Sequence, residues 1–376
     1  MAKIKNAWEK YDDAAMQACF SFNEEYKKFI SSCKSERECV SESVRLAEAK
    51  GYRDLEEVIK TNGKLSAGDK VYAVNMDKAL ALFHIGSEPL EAGMKILGAH
   101  IDSPRIDLKQ NPVYEDNELV LFDTHYYGGV KKYQWVTLPL AMHGVVVKKD
   151  GTKINVVIGE DDCDPVVGIS DLLVHLSADQ LQKTGAKVVE GEDLNVLVGS
   201  IPAKDAEKEK SKAAILNLLK EKYNIEEEDF VSAEIEVVPA GKARDYGLDR
   251  SMVMGYGHDD RVCAFTSLMA QLEIEETDRT CVCLLVDKEE VGSIGATGMQ
   301  SRFFENMVAE LINLNGNYSE LILKRCLKNS KMLSSDVNAA YDPLYADVFS
   351  EQSTSYIGKG VVFNKFTGSR GKSGSN

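Results

Sequence analysis

Four short segments carry side chains suited to metal-assisted chemistry. They are His100-Ile101-Asp102, His258-Asp259-Asp260-Arg261, Asp287-Lys288-Glu289-Glu290 and Asp336-Val337-Asn338. If they converge, Asp102, Asp259, Asp260, Asp287, Glu289, Glu290 and Asp336 repel one another and each carboxyl is driven above its ordinary pKa. Divalent cations remove that cost. Imidazole with several carboxylates and no thiolate suits zinc, cobalt or manganese, and resembles a catalytic rather than a structural zinc environment. The His-x-Asp spacing adds a carboxylate able to fix the tautomer and orientation of a ligating histidine. Each piece alone has a bland reading: a Glu pair can be a solvated strand end, and Asp259-Asp260 a helix N-cap.

The case for convergence lies in the elements that carry them. Apolar runs of strand length precede three of the segments: MKILGA before His100, CVCLLV before Asp287, and KMLSS before Asp336. The fourth opens a helical stretch over 260–274. In an open parallel sheet ligands bind beyond the carboxyl ends of the strands, so all four segments fall at one sheet edge.

Upstream, Trp8, Tyr11, Ala15, Cys19, Phe22, Tyr26 and Phe29 or Ile30 recur at helical spacing. Ser35 and Glu38 have the spacing of a capping box for a second helix that ends near Gly51. Strands are expected at 71–76, 79–85 and 94–99. From 106 to 245 the texture changes to short strands (LVLF, MHGVVV, INVVIG, LNVLVG, AEIEVV), with a helix near 169–181 and a charged helix near 204–222. After 246 helix and buried strand alternate again: helices at 260–274, 298–311 and 318–328, strands at 281–287 and 331–335.

The expectation is an α/β fold, a doubly wound, mostly parallel sheet interrupted by a β-rich insertion. Its parts are 1–105, 106–245 and 246–376. The closing GSRGKSGSN reads as loop or linker.

Composition narrows the classes. At 376 residues, with 44% hydrophobic and 28% charged residues, the chain is of the globular type. A formal charge of −15 argues against a nucleic-acid partner. No apolar run is long enough for a membrane span, and the N-terminus lacks the apolar stretch of a secretory signal, so the cytoplasm is the expected location. The eight cysteines are scattered, without CxxC or zinc-finger spacing, and read as reduced thiols.

The runs GAHIDSPR, YGGVKKYQW, GHDDRVCAFTSL, DKEEVGSIGATGMQS and SSDVNAA, in this order and spacing, resemble the aspartyl aminopeptidases of the dinuclear-zinc aminopeptidase clan. The resemblance covers nearly the whole chain. It implies two metal ions, with His100 and Asp336 on the first, Asp259 bridging both and Glu290 on the second. Glu289 would be the general base and Asp102 the residue that orients His100. The insertion would be a dimerisation domain, with His175 entering the neighbouring subunit's site to stabilise the developing oxyanion. The implied activity is removal of N-terminal residues from peptides, acidic ones by family preference, in a dimer-based homo-oligomer that extends to dodecameric particles. A deacylase or glutamyl-type aminopeptidase lies within the same clan.

The family takes a further ligand for the second metal from a histidine near its C-terminal end, and no histidine follows His258 here. The expectation is that the sequence is an incomplete version of a longer protein. The alternative is a catalytically impaired or silent assembly subunit. Many family members also carry a histidine just after the position of Asp336, where this chain has Asn338-Ala339-Ala340.

Overall fold

The computed structural model describes residues 4–316 and 318–364. The GSRGKSGSN run lies outside them. The described residues form two units. The smaller holds those up to Glu25 and from Val337 onward, the larger Tyr26–Asp336. In the smaller unit a 3-10 turn, Ala7–Lys10, is tied through the Ala7 N–H to the Gly358 carbonyl at 2.6 Å, and Trp8 stacks on Phe20.

The larger unit is built on two sheets. The first is formed by β1 (Arg53–Asp54), β2 (Lys70–Asn75), β3 (Ala79–His84), β4 (Lys95–His100), β13 (Cys281–Val286) and β14 (Lys331–Ser334), in the order β1-β2-β3-β13-β4-β14. Three of its pairings are parallel (β1 with β2, β13 with β4, β14 with β4). β3 runs antiparallel to both neighbours because a tight turn, left-handed at Met76 and Asp77, reverses the chain after β2.

Both faces of this sheet are covered, so its central strands are apolar throughout rather than alternating. On β3, Leu80 and Leu82 face the last turns of α1 (Asp13–Ser32) from Tyr26 onward, α2 (Glu36–Glu48) and α5 (His258–Leu272), whereas Ala81 and Phe83 face α3 (Leu55–Lys60), α6 (Phe303–Leu314) and α7 (Glu320–Asn329). The Ser35 capping box that opens α2 is present: the Ser35 hydroxyl accepts the Glu38 N–H at 3.3 Å, and a Glu38 oxygen accepts the Ser35 N–H at 2.9 Å.

The second sheet is antiparallel throughout. It consists of β5 (Arg105–Asp116), β6 (Leu119–Tyr127), β7 (Leu140–Val147), β8 (Lys153–Ile158), β9 (Val196–Gly199) and β10 (Ala233–Pro239), in the order β8-β7-β10-β5-β6-β9. Its core gathers Ile106, Phe122, Leu140, Val196 and Val237, and α4 (Lys210–Tyr223) packs on it through Ile215, Leu216 and Leu219. A hairpin of β11 (Arg244–Tyr246) and β12 (Met252–Met254) leads back to α5.

The helix expected over 169–181 does not form. That stretch holds two 3-10 turns, Val174–Leu176 and Gln180–Gln182, and Leu172, Leu173, Val174, Leu176 and Leu181 are exposed. A short helix needs an apolar face buried against something, and among the described residues nothing covers these side chains.

The sheets meet across a buried polar cluster. His143 on β7 lies between Glu38 (2.7 Å from Nδ1) and Glu160 (3.1 Å from Nε2), and the buried Lys34 ammonium donates to Glu160 at 2.5 Å. Burial alone would lower the His143 pKa, but Glu160 and Glu38 outweigh it and raise it. A folded-state pKa above the unfolded one gives stability that is complete below about pH 6.5 and lost as pH climbs through the raised value. In urea melts, the stability advantage of the wild-type chain over His143→Gln is therefore expected to shrink steadily from mildly acidic to alkaline pH.

Candidate active site

The strand ends of the first sheet deliver the expected residues to one place. β4 ends at His100, and the chain continues through Asp102 to Pro104. β13 runs into the buried Asp287, whose carboxylate accepts the Lys288 N–H at 2.8 Å and the Thr297 hydroxyl at 2.6 Å. Lys288 is left-handed, and a 3-10 turn, Glu289–Val291, follows. α5 begins at a left-handed Gly257 and passes through Asp259 and Asp260, both non-helical, across a cis peptide bond.

Polar ties lock α5 to the exit of β4. The Ser103 hydroxyl donates to the Asp259 carbonyl at 2.6 Å, the Tyr256 hydroxyl to that of Pro104 at 3.0 Å, and the buried Arg261 guanidinium to that of Ile101 at 3.1 Å.

His100 is the centre of the cluster. Its Nδ1 lies 2.9 Å from the Asp102 carbonyl and 3.2 Å from Asp102 Oδ1, two acceptors that assign the ring proton to Nδ1. In the neutral ring Nε2 then carries the lone pair, and it faces Asp259 Oδ1 at 3.2 Å, Glu289 Oε2 at 3.8 Å and Asp336 Oδ1 at 4.0 Å. The Asp259 oxygen is near, but among the described residues the buried Nε2 has no hydrogen-bond partner that meets both distance and angle. Both oxygens of the fully buried Asp260 are unpartnered too.

One atom each from His100, Asp260 and Asp336 lies within 4.8 Å of the other two. In the sequence Asp260 stands among the crevice carboxylates with no role of its own. The spacing could not tell which carboxylate of an adjacent pair turns inward, because that depends on the irregular backbone at the start of α5.

Electrostatics agree with this geometry. Burial raises the Glu290 carboxyl, and the Asp259 charge adds to it, to about 7. Burial is also the main cause that lifts Asp260 to about 7, and Glu289 is raised for the same reason. Burial would lower His100, but Asp102 and Asp259 pull it up to about 11, so the carboxylates alone favour a second proton on the ring, whose place a cation at Nε2 would take. Asp102 goes the other way: burial would raise it, and hydrogen bonds from His100 and Tyr127 hold it below its ordinary value. The loop after β6 passes close to Glu290, where a Cβ on the left-handed Gly128 would come 3.1 Å from its Oε2.

Zinc fits these residues. Orphaned buried atoms on His100 and Asp260 carry a desolvation cost that a cation relieves, and an imidazole with carboxylates and no thiolate is the donor set of catalytic zinc.

His175 is not brought to this cluster. It sits on the exposed Val174–Leu176 turn, without a hydrogen bond or ion pair to the site among the described residues.

Comparison with known proteins agrees. The model of the family described as aminopeptidase I zinc metalloprotease (M18) matches residues 29–376. A probable M18 family aminopeptidase 1 of Clostridium acetobutylicum is 63% identical over 100% of this chain and 81% of its own length. The crystal structure of aminopeptidase I from that organism superposes with a TM-score of 0.90 at 61% identity, covering 100% of this chain and 82% of the other. An M18 aminopeptidase from Thermotoga maritima gives 0.93 at 41% identity, covering 100% and 81%. A Saccharomyces cerevisiae mApe1 dodecamer, 21% identical over 89% of this chain and 75% of that one, shares the fold with a TM-score of 0.71.

Fold and donor set together define a zinc metalloprotease. The chain belongs to the aminopeptidase I (M18) family, and its activity is that of a hydrolase, a metalloaminopeptidase.

Replacing His100 by alanine removes the imidazole around which the carboxylates gather. The expected outcome is loss of stoichiometric zinc from the purified chain, read by atomic absorption, with the secondary structure retained.

Proposed function

We propose that this chain removes N-terminal residues from peptides, acidic ones preferentially, with two divalent cations, most simply zinc, and Glu289 as general base. In this reading His100, Asp259, Glu290 and Asp336 would hold the ions, and Asp259 would serve both. The observation that carries it is the ring of carboxylates around the unpartnered His100 Nε2, with Glu289 Oε2 at 3.8 Å. When bound, such ions polarise the scissile carbonyl, acidify a water and anchor a free α-amine.

The protein's own residues do the rest. Asp102 keeps the His100 proton on Nδ1, so Nε2 is free to act as a ligand. Glu289, raised above its usual range by burial, takes the proton of the attacking water on a carboxylate oxygen. It then returns that proton to the departing amine nitrogen. Glu289→Gln keeps the shape and removes the base. It is expected to lower kcat by roughly 10²–10⁴-fold with zinc content unchanged. Full activity in that variant would sink the mechanism. A panel of peptides differing only in the N-terminal residue tests the acidic preference, which fails if leucine is cleaved as well as aspartate.

The same proposal includes a dimer-based homo-oligomer, on the pattern of the yeast dodecamer, with residues 106–245 as the assembly domain. His175 would reach a neighbouring subunit's site. Its support is the apolar set around that histidine, with Leu173, Val174 and Leu176 more than 60% exposed in the single chain. Contiguous exposed apolar surface of this kind marks an interface. Leu176→Asp is expected to shift the particle mass in light scattering toward smaller species, and an unchanged mass would count against the interface. A cytoplasmic location completes the reading. It is supported by eight cysteines that are all free, as a reducing compartment keeps them.

A further inference from the structure

We infer that Tyr127 is a positioning residue of the metal centre, acting through Asp102 and supplied by the antiparallel sheet; the inference rests on the zinc reading of the site given above. Tyr127 is the last residue of β6, buried to 8% exposure, and its hydroxyl donates to Asp102 Oδ2 at 2.7 Å. The same oxygen accepts the Glu290 N–H at 3.1 Å. The other accepts the Glu289 N–H at 3.2 Å and faces His100 Nδ1 at 3.2 Å. One carboxylate thus sets both the orientation of the histidine and the backbone of the turn that carries the two glutamates.

Three of the four donors to Asp102 belong to the first sheet and its strand ends. Tyr127 alone comes from the second, and its bond is the shortest of the four. Its ring is held in turn: the Arg105 guanidinium stacks on it at 3.9 Å, and the Lys288 ammonium lies 5.2 Å from the ring centre. Arg105 is fixed by Glu36 at 2.6 Å and Asp107 at 2.7 Å, with Glu236 at 3.5 Å. The aromatic is therefore clamped before any substrate or metal arrives.

Without the hydroxyl, Oδ2 of a fully buried carboxylate keeps only the longer bond from Glu290. A buried charge that loses its strongest donor turns toward other partners. The carboxylate rotates, and His100 and the Glu289–Glu290 turn lose their common anchor.

The test is the zinc dissociation constant of the full chain, measured by competition with a chromophoric chelator, for wild type, Tyr127→Phe and Tyr126→Phe. Tyr126 is the exposed neighbour on the opposite face of β6 and serves as control. Tyr127→Phe is expected to weaken zinc binding roughly 10–100-fold, the range for partners that orient a metal ligand. The control stays at the wild-type value, and the metal-free melting temperature stays close to wild type because the ring still fills its place under Arg105. Added to Asp102→Asn, the same substitution is expected to cost nothing further, because both act through one carboxylate.

Unchanged zinc affinity in Tyr127→Phe overturns the inference, as do additive losses in the double variant. A Tyr127→Phe chain that fails to fold, or melts early with normal affinity, assigns the residue to the core and overturns it equally. A wild-type chain that takes up no zinc sinks the metal reading itself, and this inference with it.

Discussion

Asp102 has no exposure to solvent, yet it is held as a carboxylate by donors from three parts of the chain. A buried charge of this kind is tolerated only where its oxygens are well supplied, and here the supply is also the site's geometry. The end of β4 brings His100 Nδ1, 3.2 Å from Oδ1, the turn after β13 brings two backbone N–H groups, and β6 brings the Tyr127 hydroxyl. Were any of these elements to shift, the carboxylate would be left short of donors. Around it the other acids are arranged in the opposite sense. Asp260, Glu289 and Glu290 are crowded and desolvated, their carboxyls pushed upward, and their environment asks for a cation.

Much of the cluster was legible in the sequence because the residues that gather in it stand at strand ends. The β13 run CVCLLV is apolar on both faces, which marks a central strand, and the residues after such a strand lie at the sheet's functional edge. The capping box at Ser35 and Glu38 was readable for a similarly local reason.

What could not be read is what depends on tertiary contact. Tyr127 lies in the YGGVKKYQW run, but nothing in its neighbours says that its hydroxyl meets a carboxylate from another sheet. The inward turn of Asp260 rests on an irregular helix start. The ISDLLVHLSADQ run has enough apolar residues for a helix, yet among the described residues they find nothing to pack against, and the backbone settles into 3-10 turns.

The sheets are joined by charge as much as by apolar contact. Arg105 at the start of β5 pairs with Glu36 of α2, and Lys78, after the β2–β3 turn, reaches Glu234 of β10 at 2.8 Å and Asp287 at 3.7 Å. These groups are almost wholly buried on one or both sides, so removing one partner leaves an uncompensated charge rather than a lost surface contact. Such a seam fixes the angle at which β6 presents its last residue to the metal site.

The pairing of β4 with β13 has a consequence for the order of folding. These strands are hydrogen-bonded neighbours in register from Lys95 with Cys281 to His100 with Val286, yet the whole second sheet intervenes between them in sequence. Loop-closure entropy makes contacts of such long sequence separation slow to form unless the intervening chain has first collapsed into a compact body with its ends close together. A closed antiparallel sheet lowers that cost for the edge that carries the cluster. Its closure brings the end of β4 and the start of β13 within reach of each other, which favours the meeting of His100 with the Glu289–Glu290 turn.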